Sequence, residues 1–371
     1  MIFSRRYWVI TAAAIGMIGV VFGPNSGHGL NVPKPATFPI KISHSWEVLD
    51  KQLISAAWFG KLKMLRRLLA LGISPDATDD DHNTPLMRAG LGGHIPVAEA
   101  LIKAGADINF RNLKGLTALA WAAASGRRSF AEYLLDRGAV IDRADNNGNT
   151  PLMHAALGGR LDVADMLLER KSAVDHRNVD GDTALIYATQ SKFHDMARRL
   201  LRAGADPNKA NTEGDMALHH AVINGDAAMM VIMIKAGAKI DVANALGRTP
   251  LMWAALNADA GLARLLIAQG AGIDVRAGSI DEGVTPLILA AWTGRNDVVK
   301  LLISAGADLD AQDNYGETAL IWAAAAGRVE AVRLLLAAGA NVDIKGRHGG
   351  DALTHARDGG FDDVVRLLTT K

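Results

Sequence analysis

Residues 145–170 read DNNGNTPLMHAALGGRLDVADMLLER. Asp145, two variable residues and Gly148 supply the positive φ angles of a tight hairpin-like turn. Thr150 then caps a helix, with Pro151 at its first position, where a missing N–H costs nothing. An Ala-rich stretch runs from Leu152 to Leu157, and Gly158 and Gly159 stop it. In the segment that follows, Val163, Met166 and Leu167 stand at i, i+3 and i+4, which makes one apolar stripe on a second helix. A helix pair this short cannot shield that stripe from water, so its stability must come from neighbours.

The same grammar recurs along the chain. A Thr-x-Leu or close variant begins at Thr84, Thr117, Thr150, Thr183, Met216, Thr249, Thr285, Thr318 and Asp351, every 33 residues except for 36 between Thr249 and Thr285. Lys51 opens a more divergent copy one period earlier, which makes ten. Gly-Ala at Gly105-Ala106, Gly204-Ala205 and Gly306-Ala307 ends the second helix. Thr-Pro-Leu-x-x-Ala-Ala, Gly-Ala-Asp and the 33-residue period resemble the ankyrin repeat, over about Trp46 to Lys371. The resemblance implies an all-α solenoid of about ten helix-turn-helix repeats with short β-hairpin-like turns. It also implies a non-catalytic role in binding another protein through turn tips and the inner side of the first helices. Two departures stand out. The family's His after Thr-Pro-Leu survives only as His219, with Met87, Met153, Met252, Ile186, Ile288 and Ile321 elsewhere, and His82 replaces the turn glycine of the second copy.

Composition narrows the function. Of 371 residues 49% are apolar and 21% charged, enough to bury a core and too little charge for a disordered chain. A formal charge of +1 gives no global field for nucleic acid. Absence of cysteine excludes disulfides, thiolate zinc sites and Cys nucleophiles. The 11 histidines show no ligand spacing, and neither a phosphate-binding glycine loop nor Gly-x-Ser-x-Gly is present. No catalytic residue, metal or cofactor is assigned, and a metal-dependent hydrolase is the remote rival.

The N-terminus does a different job. Arg5 and Arg6 precede an uncharged stretch from Tyr7 to Gly27, the pattern of a cleaved secretory signal, an uncleaved anchor or, as the bland alternative, a buried apolar helix. The flanks of Arg5 and Arg6 also partly resemble a twin-arginine export signal, an ordinary export signal being the other reading. Residues 1–29 are read as signal or anchor, 30–45 as a Pro-rich spacer and 46–371 as the repeat domain. This gives a monomeric bacterial scaffold in the periplasm or tethered to the inner membrane through residues 7–23. Its partner is another protein, in support of an envelope or stress-defence enzyme, and nucleic acid is not a partner. The rival is a cytosolic or host-directed ankyrin regulator.

Two sets of residues are candidates for contact with that partner. Four residues after each Thr lie Trp121, His154, Tyr187, His220, Trp253 and Trp322, with Arg88, Leu289 and His355 in the remaining copies. They are either a ladder of rings facing a partner or spacers packed between adjacent first helices. The turn tips vary more and supply Lys114, Asn147, Asp180, Glu213, Leu246 and Tyr315. Ile280 lies in the tip that holds the three extra residues, where insertions in such arrays often meet partners or are simply tolerated. In the first copy Lys51, Lys61, Lys63, Arg66 and Arg67 form either a solvated end face or a contact for anionic headgroups.

Overall fold

The computed structural model describes residues 46–278 and 282–370. Among the described residues ten first helices alternate with ten second helices. The first are α1 (Trp46–Trp58), α3 (Pro85–Gly92), α5 (Ala118–Ala124), α7 (Pro151–Leu157), α9 (Ala184–Gln190), α11 (Ala217–Ile223), α13 (Pro250–Leu256), α15 (Pro286–Thr293), α17 (Ala319–Ala325) and α19 (Ala352–Asp358). The second are α2 (Leu62–Ala70), α4 (Ile95–Lys103), α6 (Arg128–Leu135), α8 (Leu161–Glu169), α10 (His194–Arg202), α12 (Ala227–Lys235), α14 (Ala260–Ala268), α16 (Asn296–Ser304), α18 (Val329–Ala338) and α20 (Asp362–Thr369). Each first helix packs on the first helices of adjacent copies and on its own second helix, and the second helices pack on one another in a second row. The fold is an all-α ankyrin-type solenoid, and the turns contribute one isolated bridge among the described residues, Ala210 to Met216.

Helices of this length do not hold alone in water. Their starts are fixed by caps: Thr117 Oγ1 accepts from the Ala120 N–H at 3.2 Å and Thr150 Oγ1 from the Met153 N–H at 3.4 Å, each worth about 1 kcal/mol. Met216 has no hydroxyl to accept the His219 N–H, and the bond present runs the other way, His219 Nδ1 accepting the Met216 N–H at 3.2 Å. The family histidine stands in this copy, where Met replaces the capping threonine. The core comes from leucines that recur once per copy: Leu86, Leu119, Leu152, Leu185, Leu218, Leu251, Leu287 and Leu320 are all buried. Each contributes roughly 2 kcal/mol only while both neighbours cover it. In the last described copy Thr354, Arg357, Asp358, Asp362 and Asp363 are exposed, as are Lys51, Lys61, Lys63, Arg66 and Arg67 in the first.

The second copy forms its turn without glycine. His82 takes φ of 59°, in the left-handed region where Gly148 sits at 82°. At Gly148 a Cβ would lie 3.0 Å from the Asn178 Cα and the Val179 nitrogen of the next copy, so close approach of adjacent turns demands glycine there.

Candidate functional site

The turns are built around one residue, five before each capping position. Its N–H donates across the turn: Asp145 to the Asn149 carbonyl at 3.0 Å, Asn211 to Asp215 at 3.0 Å and Asp313 to Glu317 at 3.0 Å. Where that residue is Asp or Asn, its Oδ1 also accepts two N–H groups of the same turn. For Asn178 these come from Asp180 at 3.0 Å and Asp182 at 2.8 Å. Neighbouring turns are then tied tip to tip, since the N–H groups of Asn146, Val179, Thr212 and Ala245 donate to the carbonyls of Lys114, Asn147, Asp180 and Glu213 at 2.8–3.0 Å. Arg347 donates likewise to Tyr315 at 2.7 Å. Lys114, Asn147, Asp180, Glu213 and Tyr315 therefore spend their carbonyls on the stack, and the Tyr315 hydroxyl also reaches back to the preceding copy, at Glu282. Lys114, Asn147, Asp180, Glu213 and Tyr315 are exposed, and Leu246 is half-buried. Ile280 lies outside the described residues. The three extra residues shift the tie by one, so that Gly278 donates to Gly247 at 3.1 Å instead of to Leu246.

The other end of the turn residue's side chain separates Asp from Asn. Asp holds a donor nine residues on in its own copy: Asp79 accepts from Arg88 Nε at 3.1 Å, Asp145 Oδ2 pairs with His154 Nε2 at 3.0 Å, and Asp313 Oδ2 accepts from Trp322 Nε1 at 2.8 Å. Asn instead donates to an acceptor in the preceding copy. Asn112 reaches Asn83 at 2.7 Å, Asn178 reaches Asn149 at 3.0 Å, Asn211 reaches Asp182 at 3.0 Å and Asn244 reaches Asp215 at 2.8 Å. Burial raises the Asp182 and Asp215 carboxyls to about 6, the asparagine bonds oppose the rise, and nearby carboxylates add to it. Burial likewise pulls at Asp145, but the bonds from His154 and Asn149 outweigh it and hold that carboxyl low.

The rings sit at the junction of this network with the first helices. Trp121, His154, Tyr187, His220, Trp253 and Trp322 are all half-buried, and Leu289, in the copy whose turn residue is Ala277, is buried. The polar ends of several point inward: besides His154 and Trp322, the Tyr187 hydroxyl donates to Asn149 Oδ1 at 3.0 Å and accepts from Asn178 Nδ2 at 2.9 Å. Arg248 lies over the Trp253 ring at 5.0 Å. His220 is held neutral, its pKa pushed down to about 4 by burial and by His219 beside it. What these rings leave for a partner is an edge or a face, whereas the tips leave whole side chains. The choice between Asp and Asn, and the acceptor one residue before each cap, were not singled out in the sequence, because either residue closes the turn equally well.

A family profile described as ankyrin repeats in three copies matches residues 53–145, 140–211, 199–277, 218–313 and 287–371. The chain belongs to the ankyrin-repeat family. Ankyrin repeats characteristically mediate protein interaction and are non-catalytic. Among curated relatives, the ankyrin repeat and KH domain-containing protein mask-1 of Caenorhabditis elegans is 35% identical over 77 residues, 20% of this chain and 3% of that protein. An ankyrin repeat-containing protein of Schizosaccharomyces pombe is 39% identical over 64 residues, 17% of this chain and 31% of that protein. The chain thus spans less than a third of either relative. These relatives correct the expectation of a bacterial protein in the periplasm or at the inner membrane, since both come from eukaryotes. Among the described residues no helix is long and apolar enough to cross a membrane, and the stretch 7–23 lies outside them. No cluster of three His, Asp or Glu among the described residues could hold a metal ion.

Proposed function

We propose that this ankyrin protein is a regulator or adaptor that works by occupying a surface of another protein. The observation that supports it best is the division of labour at the turns. Backbone groups from Asp81 to Arg347 tie each tip to the next, while the side chains of Lys114, Asn147, Asp180, Glu213 and Tyr315 remain exposed. A surface whose backbone is already fixed loses little entropy on docking. The tips are the primary contacts in this reading, with Leu246 and the outer edges of Trp121, His154, Tyr187, His220, Trp253 and Trp322 behind them. The eukaryotic relatives favour a regulator over an exported scaffold.

Photo-crosslinking tests it. A benzophenone amino acid placed at position 114, 180 or 213 should yield adducts with one protein in cells, and the same group at exposed second-helix positions 169, 202 and 235 should not. Adducts from the second helices alone, or from no position, would remove the reading.

A further inference from the structure

The turns of the last three copies bring three cations to one pocket, and an exposed tryptophan stands near it. Between their turns lies an open pocket of about 440 Å³ whose walls carry Arg276, Lys345, Arg347 and Gln312. Its one carboxylate, Asp313, is buried and already committed: Oδ1 accepts from the Tyr315 and Glu317 N–H groups at 2.8 and 2.9 Å, and Oδ2 from Trp322 Nε1 at 2.8 Å. Two nearby acids are engaged elsewhere, Glu282 by the Tyr315 hydroxyl and Glu317 with His355 at 3.6 Å. Arg276 is anchored, donating from Nε to the Gly283 carbonyl and from Nη2 to Asn314 Oδ1, both at 3.2 Å. Lys345 and Arg347 are exposed; the Lys345 ammonium is near enough to Asp351 to lower that carboxyl, and the Arg347 guanidinium has no ion pair among the described residues. Arg111 and Arg177 stand in the place of Arg276 in copies three and five, and Ala144, Ala210 and Ala243 in copies four, six and seven; what sets this end apart is Arg347, whose place holds Leu113, Asn146, Val179, Thr212 and Ala245 in copies three to seven.

An aromatic shelf adjoins the pocket through Asp313. Its partner Trp322 meets Trp292 edge to face, with centroids 5.9 Å apart. Trp292, at the end of α15, is 37% exposed, and the same place in other copies holds residues such as Ala124, Gln190 and Ala325. An exposed tryptophan beside exposed cations is the composition of a protein-contact anchor. A phosphate backbone, by contrast, requires a longer track of cations than three.

We propose that copies eight to ten form a docking site for an acidic segment of a partner protein. A carboxylate sits among Arg276, Lys345 and Arg347, and an adjoining apolar side chain rests on Trp292 and Trp322. This rests on the protein-binding reading above and names the partner's chemistry.

The test uses the full chain and fluorescence anisotropy with three labelled probes: a twelve-residue peptide of Glu around one Phe, its counterpart with Lys for Glu, and a twelve-nucleotide single-stranded DNA. The acidic peptide should bind, more weakly as salt rises, and the Lys peptide should not. The double variant Lys345→Glu/Arg347→Glu should bind the acidic peptide at least tenfold more weakly with an unchanged melting temperature, because both side chains are exposed; Trp292→Ala should bind about tenfold more weakly while still folded at the assay temperature, its contact with Trp322 making some thermal loss expected. Arg276 is left intact because it braces the turn. Unaltered affinity in the double variant, equal binding of the Lys peptide, tighter binding of the DNA, or no binding of the acidic peptide would each overturn the site. Crosslinks from position 114, 180 or 213 surviving in the double variant would show that the scaffold reading stands apart from this one.

Discussion

Replacing Asp182 with asparagine should stabilise the stack at pH 8 and do nothing near pH 4. Asp182 is buried and receives a single side-chain bond, from Asn211 Nδ2 at 3.0 Å. Burial, opposed by that bond and reinforced by Asp180 and Glu213, lifts its pKa from the usual 3.8 to about 6. At 1.36 kcal/mol per pH unit, that rise disfavours the ionised folded state by about 3 kcal/mol. The sign follows from proton binding: the folded state holds the proton more tightly, so the penalty is complete above pH 6. It fades as pH falls from 6 toward 3.8 and vanishes below both values. An amide fits the place, since Asn149 occupies it one copy earlier and accepts from Asn178 at the same 3.0 Å. Urea unfolding followed by circular dichroism should give Asp182→Asn a gain of about 2 kcal/mol at pH 8 and near zero at pH 4. A loss at pH 8, or a gain independent of pH, would refute the reasoning. Asp215→Asn should behave alike, because Asn244 donates to it at 2.8 Å and its pKa is also raised to about 6. The double variant should gain less than the sum, since the Asp182 carboxylate is one of the charges that raise the Asp215 pKa.

Other substitutions probe the same network. Trp322→Phe leaves the buried Asp313 Oδ2 without its donor and should cost about 2 kcal/mol in urea unfolding, whereas Trp121→Phe removes an indole N–H that has no hydrogen-bond partner among the described residues and should cost much less. Gly148→Ala places a Cβ 3.0 Å from the Asn178 Cα at φ 82° and should lower the melting temperature by several degrees, measured by calorimetry. His219 has its pKa lowered to about 4 by burial, so the unfolded chain takes up the proton first and stability is lost as pH falls from 6.5 toward 4. His219→Met, the residue found at Met252, should flatten that part of the pH–stability curve.

The repeat, its caps and its core were legible because they depend on residues a few positions apart. The period announced the stack, Thr150 and Pro151 announced a helix start, and Val163, Met166 and Leu167 announced a buried stripe. The bonds that join copies were not legible in the same way. Asp145 and Asn178 close their turns identically through Oδ1, and only the partner nine residues on, or 29 residues back, shows why one is acidic and the other an amide. The ring line illustrates the same limit. Its spacing set Trp121 to Trp322 on one side of the first helices, but the bonds that His154, Tyr187 and Trp322 make with turn residues are not singled out by sequence spacing. Nothing in the sequence singles out Lys345 and Arg347; the pocket they share with Arg276 exists only in the stack.

Amide hydrogen exchange on the full chain tests most directly whether neighbouring copies lock each other's tips. The N–H groups of Asn146, Val179, Thr212 and Ala245 lie on exposed residues yet donate to the preceding copy. They should exchange as slowly as the amides of the adjoining helices. Exchange at the rate of an unstructured loop would contradict the tied row of turns on which the binding surface is built.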